Sequence, residues 1–371
     1  MNTDFNKLSP AFSQPAGGAP VIVAGPCSAE SRSQLLEAAR QLSAIGVKYF
    51  RAGVWKPRTM PGGFEGRGDV ALAWLREAES TYGLKAATEV ANSVHTLKAL
   101  EAGIRILWLG ARTTANPFAV QEIADTIASF CEKNGIAAES VAVMVKNPVN
   151  PDLELWIGAI TRIYNAGITH ITAVHRGFSS YGLKTYRNAP NWHIPIELRR
   201  RMPALQILCD PSHIGGKHEL VAPLSQEALD LKFDGLIIES HCNPGEALSD
   251  SAQQITPAQL SALLSGLTQR RNTEASEELT RLRGSLDQLD GQLIDILARR
   301  MAIAREIGVL KKANDMTVLQ PQRYGQLMAT RIEQACAAGL PEQFMRGIFS
   351  AIHAESVAQQ ARILGNTSSA D

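Results

Sequence analysis

Between Val21 and Leu267 a single pattern recurs: a short β-rich run ends in a polar residue, and a helix-like stretch follows. The runs are VIVAGP, YFRAG, KAATEV, ILWLGA, VAVMVKN, ITAVHRG, QILCDPSH and GLIIESH. Near-continuous apolar runs bounded by turn residues are what strands covered on both faces require. Eight such units in about 250 residues predict a closed (β/α)8 TIM barrel, with a doubly wound parallel sheet as the main rival.

In such barrels the working groups stand at the C-terminal ends of the strands. Here those ends carry Cys27, Arg51, Glu89, Arg112, Lys146, Arg176, His213 and Glu239. Core packing would not select that set, because ionisable side chains are costly to bury unless paired.

The charge balance excludes one class of partner. Lys and Arg number 37 against 36 Asp and Glu, which leaves no field for nucleic acid. No apolar run approaches the length of a membrane span. Residues 1–20 lack a basic-then-apolar signal layout and read as a loose lead-in. The five cysteines are scattered, with no CxxC, which fits a reducing cytoplasm.

After the barrel (21–267) the composition shifts. Residues 268–278 read as a polar linker, 279–365 as an all-α unit and 366–371 as a tail. Leu279, Leu282, Leu286, Leu289, Leu293, Ile296, Ile303, Ile307 and Leu310 follow a 3-4 spacing. They predict one helix of about 35–40 residues, near 55–60 Å long. Second and third helices are expected after Pro321 and Pro341. So long a helix cannot bury its stripe within a small unit, so it should pack against a second copy.

At the barrel mouth, Cys27, His213, Glu239 and Asp250 form a candidate metal site. A thiolate, an imidazole and two carboxylates suit a divalent transition metal: Mn, Fe, Co, Zn or Cd. A nucleophilic role for Cys27 would need an adjacent base and an oxyanion hole, and neither is identifiable. Cys131, Cys209 and Cys336 read as core cysteines. Cys242 neighbours the proposed ligands and is left open between core and site, while His241 and His175 lie near the mouth with only a minor claim to ligation. Arg51, Lys56, Arg58, Arg112, Lys146 and Arg176 come from different strand ends, which suggests more than one phosphate or carboxylate gripped at once.

These residues carry a resemblance. AGPCS, FRAGVWKPRT, GART, VKNP, HRG, DPSHIGGK and IIESHCNPGEALSD, in order, resemble the short, single-barrel type of 3-deoxy-D-arabino-heptulosonate 7-phosphate (DAHP) synthase. That family condenses phosphoenolpyruvate with erythrose 4-phosphate. The resemblance implies that Cys27, His213, Glu239 and Asp250 hold the metal. It implies that Arg51, Lys56, Arg112, Lys146 and Arg176 cradle phosphoenolpyruvate, and that Arg58 and Thr59 grip erythrose 4-phosphate. Lys56 is the candidate proton donor to the forming hydroxyl. The sister family, which uses arabinose 5-phosphate, carries a KANR-like run where this chain has KPRT. The five-carbon aldose remains the alternative substrate.

In the long helix, Arg300 occupies a heptad position where Leu or Ile is expected. Lys311 lies about 20° away around the axis and about 16 Å along it. The bland reading is a surface arginine that snorkels; the sharper one is a pair of cations awaiting a small dianion. Arg283 points about 100° from Arg300 and would serve a partner chain. LTRLRGSLDQLDGQLIDILARR, EIGVLKK and ESVAQQ resemble the all-α chorismate mutase family. The resemblance implies functional roles for Arg283, Arg300, Lys311, Arg323, Ser356 and Gln360. That family often has carboxylates where this chain has Gln320 and Tyr324.

Together these features suggest a bifunctional cytoplasmic enzyme of aromatic amino acid biosynthesis. It would convert chorismate to prephenate, form a homodimer or higher homo-oligomer through its helices, and be restrained by prephenate. The competing reading keeps the synthase but makes the helical unit only a sensing and dimerisation module.

Overall fold

A computed structural model describes residues 5–56, 62–182, 185–268, 270 and 276–365. The chain divides into two compact units, Met1–Arg271 and Asn272–Asp371.

The first unit is a closed barrel of eight parallel strands in sequence order. The strands are β1 (Val21–Gly25), β2 (Tyr49–Arg51), β3 (Lys85–Val90), β4 (Ile106–Leu109), β5 (Ala142–Lys146), β6 (His170–His175), β7 (Gln206–Cys209) and β8 (Gly235–Glu239). Each coincides with one apolar run. β4, β5, β7 and β8 are buried along their whole length, because side chains on one face fill the barrel and those on the other meet the helices. Val23, Trp108, Met144, Val174, Leu208 and Ile237 pack inside. A larger apolar layer lies between strands and helices.

Sequence reading assigned no role to the lead-in, yet it closes the N-terminal end of the barrel. Phe12 is fully buried with the interior residues. Its N–H donates to Gln206 Oε1 at 3.2 Å, and Gln206 Nε2 donates back to its carbonyl at 3.0 Å. Ala11 N–H reaches Thr172 Oγ1 at 3.2 Å. These bonds satisfy polar groups that the barrel floor would otherwise bury unpaired.

Among the described residues the second unit has three helices, Glu277–Ala313, Pro321–Ala337 and Glu342–Gly365. The first is 37 residues long, or about 55 Å. Ser276 caps it by accepting from Leu279 N–H. It packs on the third helix through Gly308, where an added Cβ would stand 3.1 Å from Gln360 Cα. Leu286, Leu289, Leu293 and Leu310 on this long helix are 54–63% exposed. Cys131 and Cys209 are buried, but Cys336, expected in the core, is exposed. Its helix shows only one face to its neighbours, and Cys336 is not on it.

Among the described residues, no helix is long and apolar enough to cross a membrane.

Candidate active site

The strand ends converge on a cavity of about 750 Å3. Lys56, Arg112, Lys146, Arg176 and Arg187 line it, with Glu89 and Asp250 as the facing carboxylates. Five cations against two carboxylates give it a field for anions. Gly110 gives the Glu89 carboxylate room at its wall: an added Cβ there would lie 2.2 Å from Glu89 Oε1, which would have to shift.

β1 and β8 pair Gly25 with Glu239, so the turn after β1 carries Cys27 beside that carboxylate. The following loop returns Asp250. Ligand atoms of Cys27, Glu239 and Asp250 all lie within 4.8 Å of one another. The Cys27 thiol donates to Asp250 Oδ2 at 3.3 Å. Burial, then Glu239, pushes that thiol up to about 12. Burial works against the charge on Asp250, but Arg187, His213 and Lys56 outweigh it and hold the carboxyl well below its usual range. A buried thiol facing two carboxylates fits a divalent transition metal, whose binding would displace the thiol proton.

His213 stands just outside this trio. Its Nε2 is 3.8 Å from Glu239 Oε1 and its Nδ1 is 2.8 Å from Asp210 Oδ2. A carboxylate on one ring nitrogen fixes the imidazole and leaves the other free to ligate. Burial lowers the His213 pKa, which favours the neutral ring a metal needs. Asp210 also caps the short helix Pro211–Gly215 through His213 N–H and accepts from Lys146 Nζ at 2.9 Å. The local sequence Asp-Pro-Ser-His explains this: Asp is a good N-cap and Pro suits the first helical position.

Arg51 lies beneath the cavity rather than in its lining. It is 1% exposed and donates to Glu239 Oε1 and the Cys27 carbonyl, each at 2.9 Å. Removing one partner from such a buried pair costs about 3–5 kcal/mol. Gly25 permits this packing, since a Cβ there would stand 2.0 Å from Arg51 O. Lys56 Nζ donates to Cys27 Sγ at 3.0 Å. Arg176 is held by Asn188 Oδ1 at 2.7 Å. Arg58 and Thr59 lie outside the described residues.

Several supporting residues escaped the sequence reading. Arg187 donates to Asp250 Oδ1 at 3.1 Å and to Gln253 Oε1 at 2.7 Å, while Gln253 Nε2 donates to Glu239 Oε2 at 2.6 Å. Glu30 braces the loop before Asp250: its Oε1 accepts from Leu248 N–H at 2.9 Å and from Ser28 Oγ at 3.0 Å. Ser28 and Ser249 hydroxyls meet at 2.6 Å. His241 Nδ1 accepts from Asn243 N–H at 2.9 Å, so it braces its own loop. His175 is packed among Trp156, Phe178, Trp192 and Phe233, and burial pushes its pKa down to about 3.

In the helical unit, Arg300 Nη1 donates to Ser356 Oγ at 2.5 Å, and Lys311 Nζ donates to the Val318 carbonyl at 2.5 Å. Ser356 and Gln360 are buried on the third helix. Gln360 Oε1 has no hydrogen-bond partner among the described residues. Arg283 and Arg323 are exposed. Tyr324 places its ring 4.2 Å from that of His353.

Comparison with known proteins follows the same division. Residues 13–275 match the family model of the DAHP synthetase I family, and residues 282–361 that of chorismate mutase type II. Phospho-2-dehydro-3-deoxyheptonate aldolase of Thermotoga maritima is 35% identical over 234 residues, which are 63% of this chain and 64% of that protein. This chain thus spans 64% of the length of that curated relative. A crystal structure of the Thermotoga maritima DAHP synthase superposes with a TM-score of 0.59 at 31% identity, covering 73% of this chain and 70% of the other. The T-protein of Enterobacter agglomerans is 32% identical over 79 residues, 21% of either chain. The matched barrel spans more than half of the chain, and the chain therefore belongs to the DAHP synthetase I family, with a chorismate mutase type II segment following it in sequence.

Proposed function

We propose that the chain is a bifunctional enzyme of aromatic amino acid biosynthesis. The barrel condenses phosphoenolpyruvate with D-erythrose 4-phosphate to DAHP and phosphate. The helical unit rearranges chorismate to prephenate. One observation carries the first half: a thiol and two carboxylates within 4.8 Å of one another, beside a cavity lined by five cations.

Cys27, Glu239 and Asp250, with His213 as the fourth donor, would hold a divalent transition metal. When bound, that ion supplies Lewis acidity toward the aldehyde oxygen of the aldose. The chain's own residues do the rest. Lys146, Arg176 and Arg112 hold the phosphate and carboxylate of phosphoenolpyruvate, and their charge offsets the repulsion between two anionic substrates. The enol carbon attacks the aldehyde carbon, water adds to the resulting cation, and phosphate departs. Lys56 faces the cavity and carries the proton for the new hydroxyl. Arg51 stays buried, balances Glu239 and holds the Cys27 turn in place.

The mutase half needs neither acid, base nor metal. Arg300 and Lys311 fix the dianion in its reactive conformer and stabilise charge at the breaking ether bond. Arg283 of a second copy would complete the site, so the unit works as a dimer. Prephenate bound there would restrain the barrel by favouring one arrangement of the two units.

Turnover of both substrate sets by the full-length chain, with and without a chelator, tests this. Chelation should stop condensation and spare the mutase. Condensation that survives metal removal would overturn the metal-dependent reading, and inert chorismate would leave the helices a sensing module.

A further inference from the structure

Two buried polar atoms of the helical unit have no hydrogen-bond partner among the described residues: Gln360 Oε1 and His353 Nε2. The first belongs to a residue already placed in the mutase site. The second does not. His353, Ser356 and Gln360 stand at i, i+3 and i+7 of the third helix, within about 60° of one another around its axis. Ser356, in the middle, receives Arg300.

We propose that His353 is a further substrate-contacting residue of this site, donating from Nε2 to an oxygen of the cyclic dianion held between Arg300 and Lys311. The proposal rests on the mutase reading and names a contact that reading did not contain.

Three observations support it. A buried imidazole nitrogen left unpaired costs about 1–3 kcal/mol, a penalty that a bound ligand removes. Tyr324 then explains the ring's orientation: its centroid lies 4.2 Å from that of His353, at an interplanar angle of 32°. The chain has no carboxylate at Tyr324 or Gln320, so the site lacks the acidic acceptors expected there. Finally, burial, then the charges of Arg300 and Lys311, lower the His353 pKa. The ring is therefore neutral, and a neutral imidazole donates through one nitrogen only. With two cations already present, the site gains a directed donor without a third unbalanced charge.

The alternative is that His353 only packs against Tyr324. Steady-state kinetics of the full-length chain with chorismate separate the two. His353→Phe keeps a ring on Tyr324 and removes the donor. It should lower kcat/KM about 10–100-fold, as for a lost hydrogen bond to a charged group. Condensation should not change, and the thermal midpoint should not fall, since the substitution also removes the unpaired nitrogen. His353→Gln returns an N–H donor and should recover part of the loss. Wild-type kcat/KM in His353→Phe would overturn the inference. So would a loss that tracks a fallen thermal midpoint and is not recovered by Gln. If Arg300→Ala is inactive while His353→Phe is fully active, only this inference fails. If the wild-type chain leaves chorismate unchanged, the mutase reading fails and this contact falls with it.

Discussion

Lys56 Nζ lies 3.0 Å from Cys27 Sγ and 3.3 Å from the Cys27 carbonyl oxygen. Burial works against the lysine's charge, but its acidic neighbours, Glu239 and Glu89 among them, outweigh it, and its pKa is raised. The ammonium thus stays charged beside a thiol that burial keeps protonated. Displacing that proton with a metal gives the lysine an anionic neighbour and a firmer hold. Cys27→Ala should therefore abolish condensation and lower bound metal, measured by elemental analysis, while chorismate turnover persists. Normal metal content with active synthase would remove Cys27 from the site.

Glu30 does not itself line the cavity, yet it joins the turn carrying Cys27 to the loop carrying Asp250. Glu30→Ala should weaken cadmium binding about tenfold, as one or two lost hydrogen bonds to a charged group would. Ultraviolet absorbance of the cadmium thiolate reads this directly. Glu30→Gln keeps one acceptor oxygen and should bind within about threefold of wild type. Equal affinity in the Ala variant would show that the two loops hold without it.

Arg300 bonds to Ser356 at the centre of the candidate mutase site. Arg300→Ala should lower chorismate turnover about 10²–10³-fold, the scale for losing one charge-stabilising donor. Circular dichroism should show unchanged helix content. Unchanged turnover would place the site elsewhere.

The exposed leucines of the long helix should be covered by a second copy. Sedimentation should give at least a dimer. Replacing Leu286 and Leu289 with Glu should yield monomers without mutase activity, because Arg283 of a partner would no longer arrive. A wild-type monomer that turns over chorismate would refute this.

Prephenate should slow condensation in the full-length chain and lose that effect when the chain is cut between residues 268 and 278. Insensitivity at concentrations that saturate the mutase site would remove the regulatory claim and leave dimerisation standing.

The barrel was legible because doubly buried strands need near-continuous apolar runs, so each run announced both its element and the polar residue at its end. Asp250 lies in the loop after β8, whereas Cys27 and Glu239, at or just beyond strand ends, were legible as candidates for the same reason. Depth was not. Strand alternation says which face Arg51 occupies but not that Glu239 would draw it beneath the cavity floor. Arg187 sits in an irregular loop with no period to flag it. Asp210 did leave a signal, since Asp-Pro before Ser-His marks a helix start, but His213 drew the attention. In the helices the stripe was readable from spacing, whereas the contact between Tyr324 and His353 joins two helices and has no local pattern.

Phe12 leaves the ribosome long before the residues that hold it. Gln206 follows 194 positions later, a wait of about 10–40 s at about 5–20 residues per second. The segment made first is thus among the last to dock, and the nascent barrel stays open at its floor until β7 emerges. During that interval Tyr49, whose ring Phe12 meets edge-on at 4.6 Å, and its floor neighbours lack their cover. Speeding translation between residues 12 and 206 would shorten their exposure without changing a single native contact.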